Sequence, residues 1–244
     1  MPSLAELRRD YSSQRLSLRA GLVQAARLIW AGLRHSSTAY DRASVPGFVD
    51  QLVPLVHEGQ AQEVSLTVAM LRELSLLRTG VPTPDVDLSK LEGRQGGVSL
   101  DDVYARPFVW LWTDLKNGKP FEDALDDAAD RLGKSIEADL QLASRNAADA
   151  VIDADRRTIG FKRVLSDRPN HCPLCVVAST NHYRKGDLLP IHPGCGCGVE
   201  PVYADADWDD TLNRQVADAY ADAIRNQEIA VTEHGEYGPY LIAA

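Results

Sequence analysis

The sequence predicts a mainly α-helical protein with a small α+β part near its C-terminus, closed around a cysteine knuckle. Three observations carry this. Apolar residues recur at helical spacing over most of the first 157 positions, short β-like runs flank a cysteine-rich stretch after Thr158, and all four cysteines of the chain lie inside that stretch. The expected organisation is a helical N-terminal region (1–80), a loop or linker (81–105) and a C-terminal region (106–244). The last holds a long helix (120–157), the knuckle (159–203), and a further helix and tail (209–244).

The elements follow in order. Residues 3–34 read as one helix, with Leu4, Tyr11, Leu18 and Ala25 every seven positions and Leu7, Leu22, Ile29 and Leu33 filling neighbouring turns. Gly21 is its weak point. Such a stripe serves either packing within the same domain or a docking seam. A second helical region spans roughly 45–79 through Val49, Leu52, Val53, Val56, Val64, Val68, Leu71, Leu74 and Leu77, and Gly80 with Pro82 and Pro84 ends it. The glycines and prolines of 80–99 predict a loop. Arg106-Pro107 then leads into Phe108-Val109-Trp110-Leu111-Trp112, an apolar knot suited to the first turns of a core helix. Asn117-Gly118 marks a turn and Pro120 suits a helix start. Leu125, Ala128, Leu132, Ile136, Leu140, Ala143, Ala147 and Val151 follow at steps of three and four, the clearest helix in the chain, with Gly133 a candidate kink. Its Ala-rich stripe permits close approach by another element. Its acidic face (Glu122, Asp123, Asp126, Asp127, Asp130) reads as solvated surface, because helical spacing does not gather that many oxygens around one ion.

Beyond Thr158 the texture changes. Residues 159–165 (IGFKRVL) read as a strand leading into the cysteine stretch, 176–179 as a turn of helix, and 199–203 (VEPVY) as a strand leaving it. Pairing the two strands would bring the cysteine runs to one end of a small sheet. Residues 209–228 resume helical spacing, and the glycines and proline of 233–241 predict an extended tail.

Composition bounds the function. The formal net charge is -9 over 244 residues, which disfavours non-specific nucleic-acid binding over the whole surface. The charge is uneven: Arg8, Arg9, Arg15, Arg19, Arg27 and Arg34 face only Glu6 and Asp10 within 1–34. That segment is either a basic arm able to touch DNA or an acidic partner, or a solvated helix face. No stretch resembles a secretory signal, and no apolar run approaches the ~20 residues of a membrane-spanning helix, so no membrane partner is expected.

The chemistry lies in His171-Cys172-Pro173-Leu174-Cys175 and His192-Pro193-Gly194-Cys195-Gly196-Cys197. A CxxC turn offers two thiolates to one ion, and the glycines of the second run let the backbone curl round it. Clustered thiols in this pattern fit a structural Zn²⁺ site of four tetrahedral ligands. Five residues compete for four places. The preferred set is Cys172, Cys175, His192 and Cys197, with Cys195 as alternate; His171 and His182 read as bystanders. A disulfide is the competing structural reading, and a redox CxxC lacks the βαβ surroundings that such motifs keep. A catalytic zinc would leave an open coordination place, whereas this stretch has a surplus of ligands. The chain shows no HExxH, GxSxG or phosphate-binding loop and only half of a zinc-deaminase pattern, so no catalytic residue is identified.

These residues carry a family resemblance. Cys172-Pro-Leu-Cys175, His192-Pro-Gly-Cys195-Gly-Cys197 and Glu200-Pro201-Val202 resemble the C-terminal signature of the MuF-like minor head proteins of tailed phages. There a strand leads into CxxC, a short helix follows, and HPxCxC runs into a strand near Pro-Val. The tail 233–241 (EHGEYGPYL) is similar to tails of actinobacterial-phage members; the resemblance spans roughly 135–241 and is loose over the first hundred residues. It implies a minor capsid protein made in the bacterial host cytoplasm and housed in the prohead or virion interior. Its partners would be the portal protein and the major capsid or scaffold protein. Many relatives bear the label "capsid maturation protease", so trimming of scaffold or capsid protein is the alternative function. A zinc-knuckle nucleic-acid binder, contacting DNA weakly through Arg8, Arg9, Arg15 and Arg19, is the second alternative.

Overall fold

The computed structural model describes residues 3–34, 37–88, 98–166, 173–186, 196–204, 218–219, 221–223, 225–226, 228–234 and 238–243. Four long helices come first: α1 (Leu4–Ala31), α2 (Ser44–Thr79), α3 (Leu100–Lys116) and α4 (Phe121–Ala154). A small sheet and a short helix follow: β1 (Thr158–Val164), α5 (Pro173–Ser179), β2 (His182–Tyr183) and β3 (Gly198–Tyr203). Finally β4 (Ile229–His234) and β5 (Gly238–Ala243) pair antiparallel. The chain is mainly helical with a small antiparallel sheet, as its patterning predicts.

Local chemistry fixes the helix ends. Ser3 caps α1 in a reciprocal box: its hydroxyl accepts from the Glu6 amide at 3.2 Å, while the Glu6 carboxylate accepts from the Ser3 amide at 2.7 Å. Gly80 closes α2 at φ 73°, a left-handed conformation that glycine adopts without strain. α3 starts at Leu100, inside the stretch 81–105 expected as linker. The Ser99 hydroxyl accepts from the Asp102 amide at 3.1 Å, and Leu100, Val103 and Tyr104 are buried, so the helix gains a cap and an apolar face ahead of Pro107. Pro54 and Pro107 both lie inside helices.

The helices pack with α1 antiparallel to both α2 and α4. One core centres on Trp30, Phe48 and Phe108, whose rings meet edge-on with centroids 5.0–5.4 Å apart. Trp30 also donates its indole N–H to the Leu125 carbonyl at 3.0 Å, so no buried donor is wasted. At the opposite end of α1, Leu4, Leu7 and Tyr11 pack against a second core of Met70, Leu71, Leu74, Val151, Phe161 and Val199.

The fully buried stripe of α1 departs from the Leu4–Tyr11–Leu18–Ala25 heptad, whose Leu4 and Tyr11 are only partly buried. It runs through Arg15, Arg19, Leu22, Ala26 and Trp30. Glu63 of α2, fully buried, accepts from the Nε atoms of Arg15 and Arg19 at 2.7 and 2.5 Å. Arg15 and Arg19 therefore point inward, and of the four arginines read as a DNA-contacting arm only Arg8 and Arg9 reach the surface. The acidic face of α4 meets the other arginines of this segment: Arg27 pairs with Asp130 at 2.7 Å, and Arg34 with Glu122 and Asp126.

The three-stranded sheet has the order β2-β1-β3, all antiparallel. Lys162 lies opposite Glu200, and Val164 opposite Gly198. The pairing places the start of β3 beside the end of β1. The expected helix at 209–228 falls largely outside the described residues. The tail expected as extended is β strand, folded back as the β4–β5 hairpin.

Candidate metal centre

Two of the sequence-selected ligands meet. Cys175 lies on α5 and Cys197 immediately precedes β3, and their sulfurs are 3.5 Å apart. Each residue is 3% exposed, and Leu165 packs over the pair. A disulfide needs about 2.05 Å between sulfurs. Two thiolates on one tetrahedral zinc, each about 2.3 Å from the ion, stand roughly 3.8 Å apart. The observed separation lies within a few tenths of an ångström of the second geometry, and the donor chemistry suits the same ion. Cys172, His192 and Cys195 lie outside the described residues, and so does His171. Among the described residues no group of three or more metal-binding side chains converges. His182 lies on β2, opposite Lys162.

The elements explain why the sulfurs meet. The antiparallel β1–β3 register carries the chain from Val164 directly across to Gly198, so Cys197 arrives at the open end of the strand pair. Helix α5 packs on β1 and brings Cys175 over the same end. Gly198 lies against the Tyr11 ring, where an added Cβ would make an ordinary van der Waals contact at 3.7 Å.

Around the sulfurs stand side chains that spacing rules do not select. Arg145 of α4 donates from Nη2 to the Cys197 sulfur at 3.1 Å, and Arg163 of β1 donates from Nη1 to the Cys175 sulfur at 3.4 Å. Both arginines are 1% exposed. Gln141 donates to the Cys197 carbonyl at 2.9 Å and accepts from Arg15 at 2.8 Å. A polar chain thus runs from Glu63 through Arg15 and Gln141 to Cys197. The available sequence signal was Gln141 and Arg145 standing four residues apart on a helix whose stripe is rich in alanine.

A second polar cluster clamps the sheet to the helices. The Arg157 guanidinium donates to both Asp155 carboxylate oxygens at 2.9 and 2.6 Å, to the hydroxyls of Thr79 and Ser75, and to the carbonyls of Val81 and Pro82. Burial would raise the Asp155 carboxyl, but hydrogen bonds from the Arg157 side chain and amide outweigh it and hold it below the usual carboxylate range. Lys185 donates to the Asp155 carbonyl at 2.8 Å.

Comparison with known proteins finds no matching family model, no matching curated protein and no matching solved structure. Among the described residues no helix is long and apolar enough to cross a membrane.

Proposed function

We propose that this chain is a MuF-like minor capsid protein of a tailed phage, a structural and assembly component of the prohead near the portal, whose C-terminal part is stapled by Zn²⁺. The observation that carries the reading is the order β1–α5–β2–β3, in which Cys175 on α5 and Cys197 before β3 come together. The resembled signature has the same sequence of strand, CxxC, short helix, HPxCxC and strand. Cys172, Cys175, His192 and Cys197 hold the ion in this reading, with Cys195 as alternate. The bound metal supplies cross-linking and no chemistry. The protein acts as an adaptor: its helices face portal, scaffold or major capsid protein, and the knuckle keeps the C-terminal sheet seated on α4.

The experiment is compositional. Proheads and virions of the encoding phage are purified, the protein is located by mass spectrometry and labelling, and its zinc content is measured. The expected result is a full-length chain at the portal end carrying one zinc. Absence from both particles, with uncleaved scaffold or capsid protein accumulating when the gene is deleted, would instead make the chain a maturation protease. DNA binding that falls steeply with salt would support the nucleic-acid reading.

A further inference from the structure

We infer that Arg145 and Arg163 belong to the metal site as buried charge-balancing donors to the metal-bound sulfurs. The inference rests on the zinc reading above and names residues that reading does not include. The two guanidiniums approach different sulfurs from different elements, Arg145 from α4 and Arg163 from β1. Each is 1% exposed, so water cannot solvate the charge. The Nε and Nη1 atoms of Arg145 have no hydrogen-bond partner among the described residues, which leaves the Cys197 sulfur as the acceptor the structure gives it. A neutral thiol is a weak acceptor; a thiolate is a strong one. Zn²⁺ with three thiolates and an imidazole carries one negative charge, and with four thiolates two. Guanidiniums hydrogen-bonded to the sulfurs offset that charge, one sufficing for the first set and two for the second. Arg145, whose Nε and Nη1 are unmet among the described residues, gains most from an anionic sulfur at its Nη2.

The same contacts give the site its anchorage. Arg145 and Gln141 are one helical turn apart on α4 and hold the sulfur and the carbonyl of one residue, Cys197. Metal-ligand partners of this kind orient the ligand and tune its affinity, and their removal typically weakens metal binding about 10–100-fold.

The test measures zinc affinity of the full chain by competition with a chromogenic chelator, for the wild type and for Arg145→Met, Arg163→Met and Arg145→Lys. Circular dichroism checks that each variant keeps its helices. Each methionine variant is expected to bind zinc about 10–100-fold more weakly, with Arg145→Lys recovering part of the loss because it keeps the charge. One zinc per wild-type chain with unchanged affinity in both methionine variants would overturn this inference alone. A wild type that binds no zinc would overturn it together with the reading it rests on. Should the variants fail to fold, wild-type protein loaded with ¹¹³Cd decides. Scalar coupling from the metal to arginine side-chain protons, transmitted through N–H···S bonds, is expected, and its absence from every arginine would end the proposal.

Discussion

Glu63 holds two arginines at once while fully buried from bulk solvent. Removing one member of a buried ion pair leaves an uncompensated charge and costs roughly 3–5 kcal/mol. Glu63→Gln keeps the shape and loses the charge, so chemical denaturation should show a stability loss of about that size, far above that of Asp130→Asn on the exposed Arg27 pair, where under ~1 kcal/mol is expected. Asp155 makes a different prediction. Its carboxyl is held below the ordinary value in the folded state, so the stabilisation it brings is fully present above the unfolded carboxyl value near 4. It is lost as pH falls through the lower folded value. Asp155→Asn should therefore cost about 1–2 kcal/mol at neutral pH, and the gap from wild type in thermal unfolding should close progressively below about pH 4. Neither residue announced itself. Glu63 sits in a helix among other polar residues. Arg15 and Arg19 looked like an arm because charge was read along the chain. Their spacing with Leu22, Ala26 and Trp30, in steps of four and three, already placed them on one stripe, and hydropathy alone assigned that stripe to solvent.

At the level of elements, periodicity served well where one face is apolar and poorly where buried polar groups interrupt it. Helices α2 and α4 emerge near their expected limits because leucine, valine and alanine recur at helical spacing on either side of their buried polar residues and Gly80 ends the first of them. The inward face of α1 was misplaced, since its centre is made of guanidinium and not of hydrocarbon. The start of α3 was missed because Pro107 drew the boundary, although Ser99 with Asp102 is a cap motif that precedes it. The pairing of the two strands flanking the cysteines was legible from their β-like composition on either side of a closing motif. Short β2 was not, since two residues make no pattern. Gly160 offers a test of this sheet. A Cβ there would stand 2.3 Å from the Tyr183 carbonyl oxygen, a backbone atom that cannot swing aside. Gly160→Ala should push β2 off β1, break the Phe161–Tyr183 stack and speed amide hydrogen exchange in both strands, while exchange in α2 stays unchanged.

Across the whole molecule, the Cys175–Cys197 pair and the helical body are joined through α4, so an ion bound at the sulfurs should be read in the helices. Stripping zinc with a chelator is expected to lower the melting temperature of the helical circular-dichroism signal by roughly 5 °C or more, reversed on adding the ion back. A melt unaffected by chelation would mean that the knuckle does not hold the helices. The arginines that flank the sulfurs were not legible in the sequence: Arg145 stands on a helix remote in the chain from the cysteine motif, and Arg163 reads as one basic residue of a strand.

Helix α1 reaches from the Trp30 core to the sheet, where Arg8 grips Glu200 through two bonds of 2.6 Å. Glu200 lies 192 residues further along the chain than Arg8. Until Glu200 is made, Arg8 and the apolar start of α1 lack their partners on β3, so this end of the helix closes only after all four long helices exist.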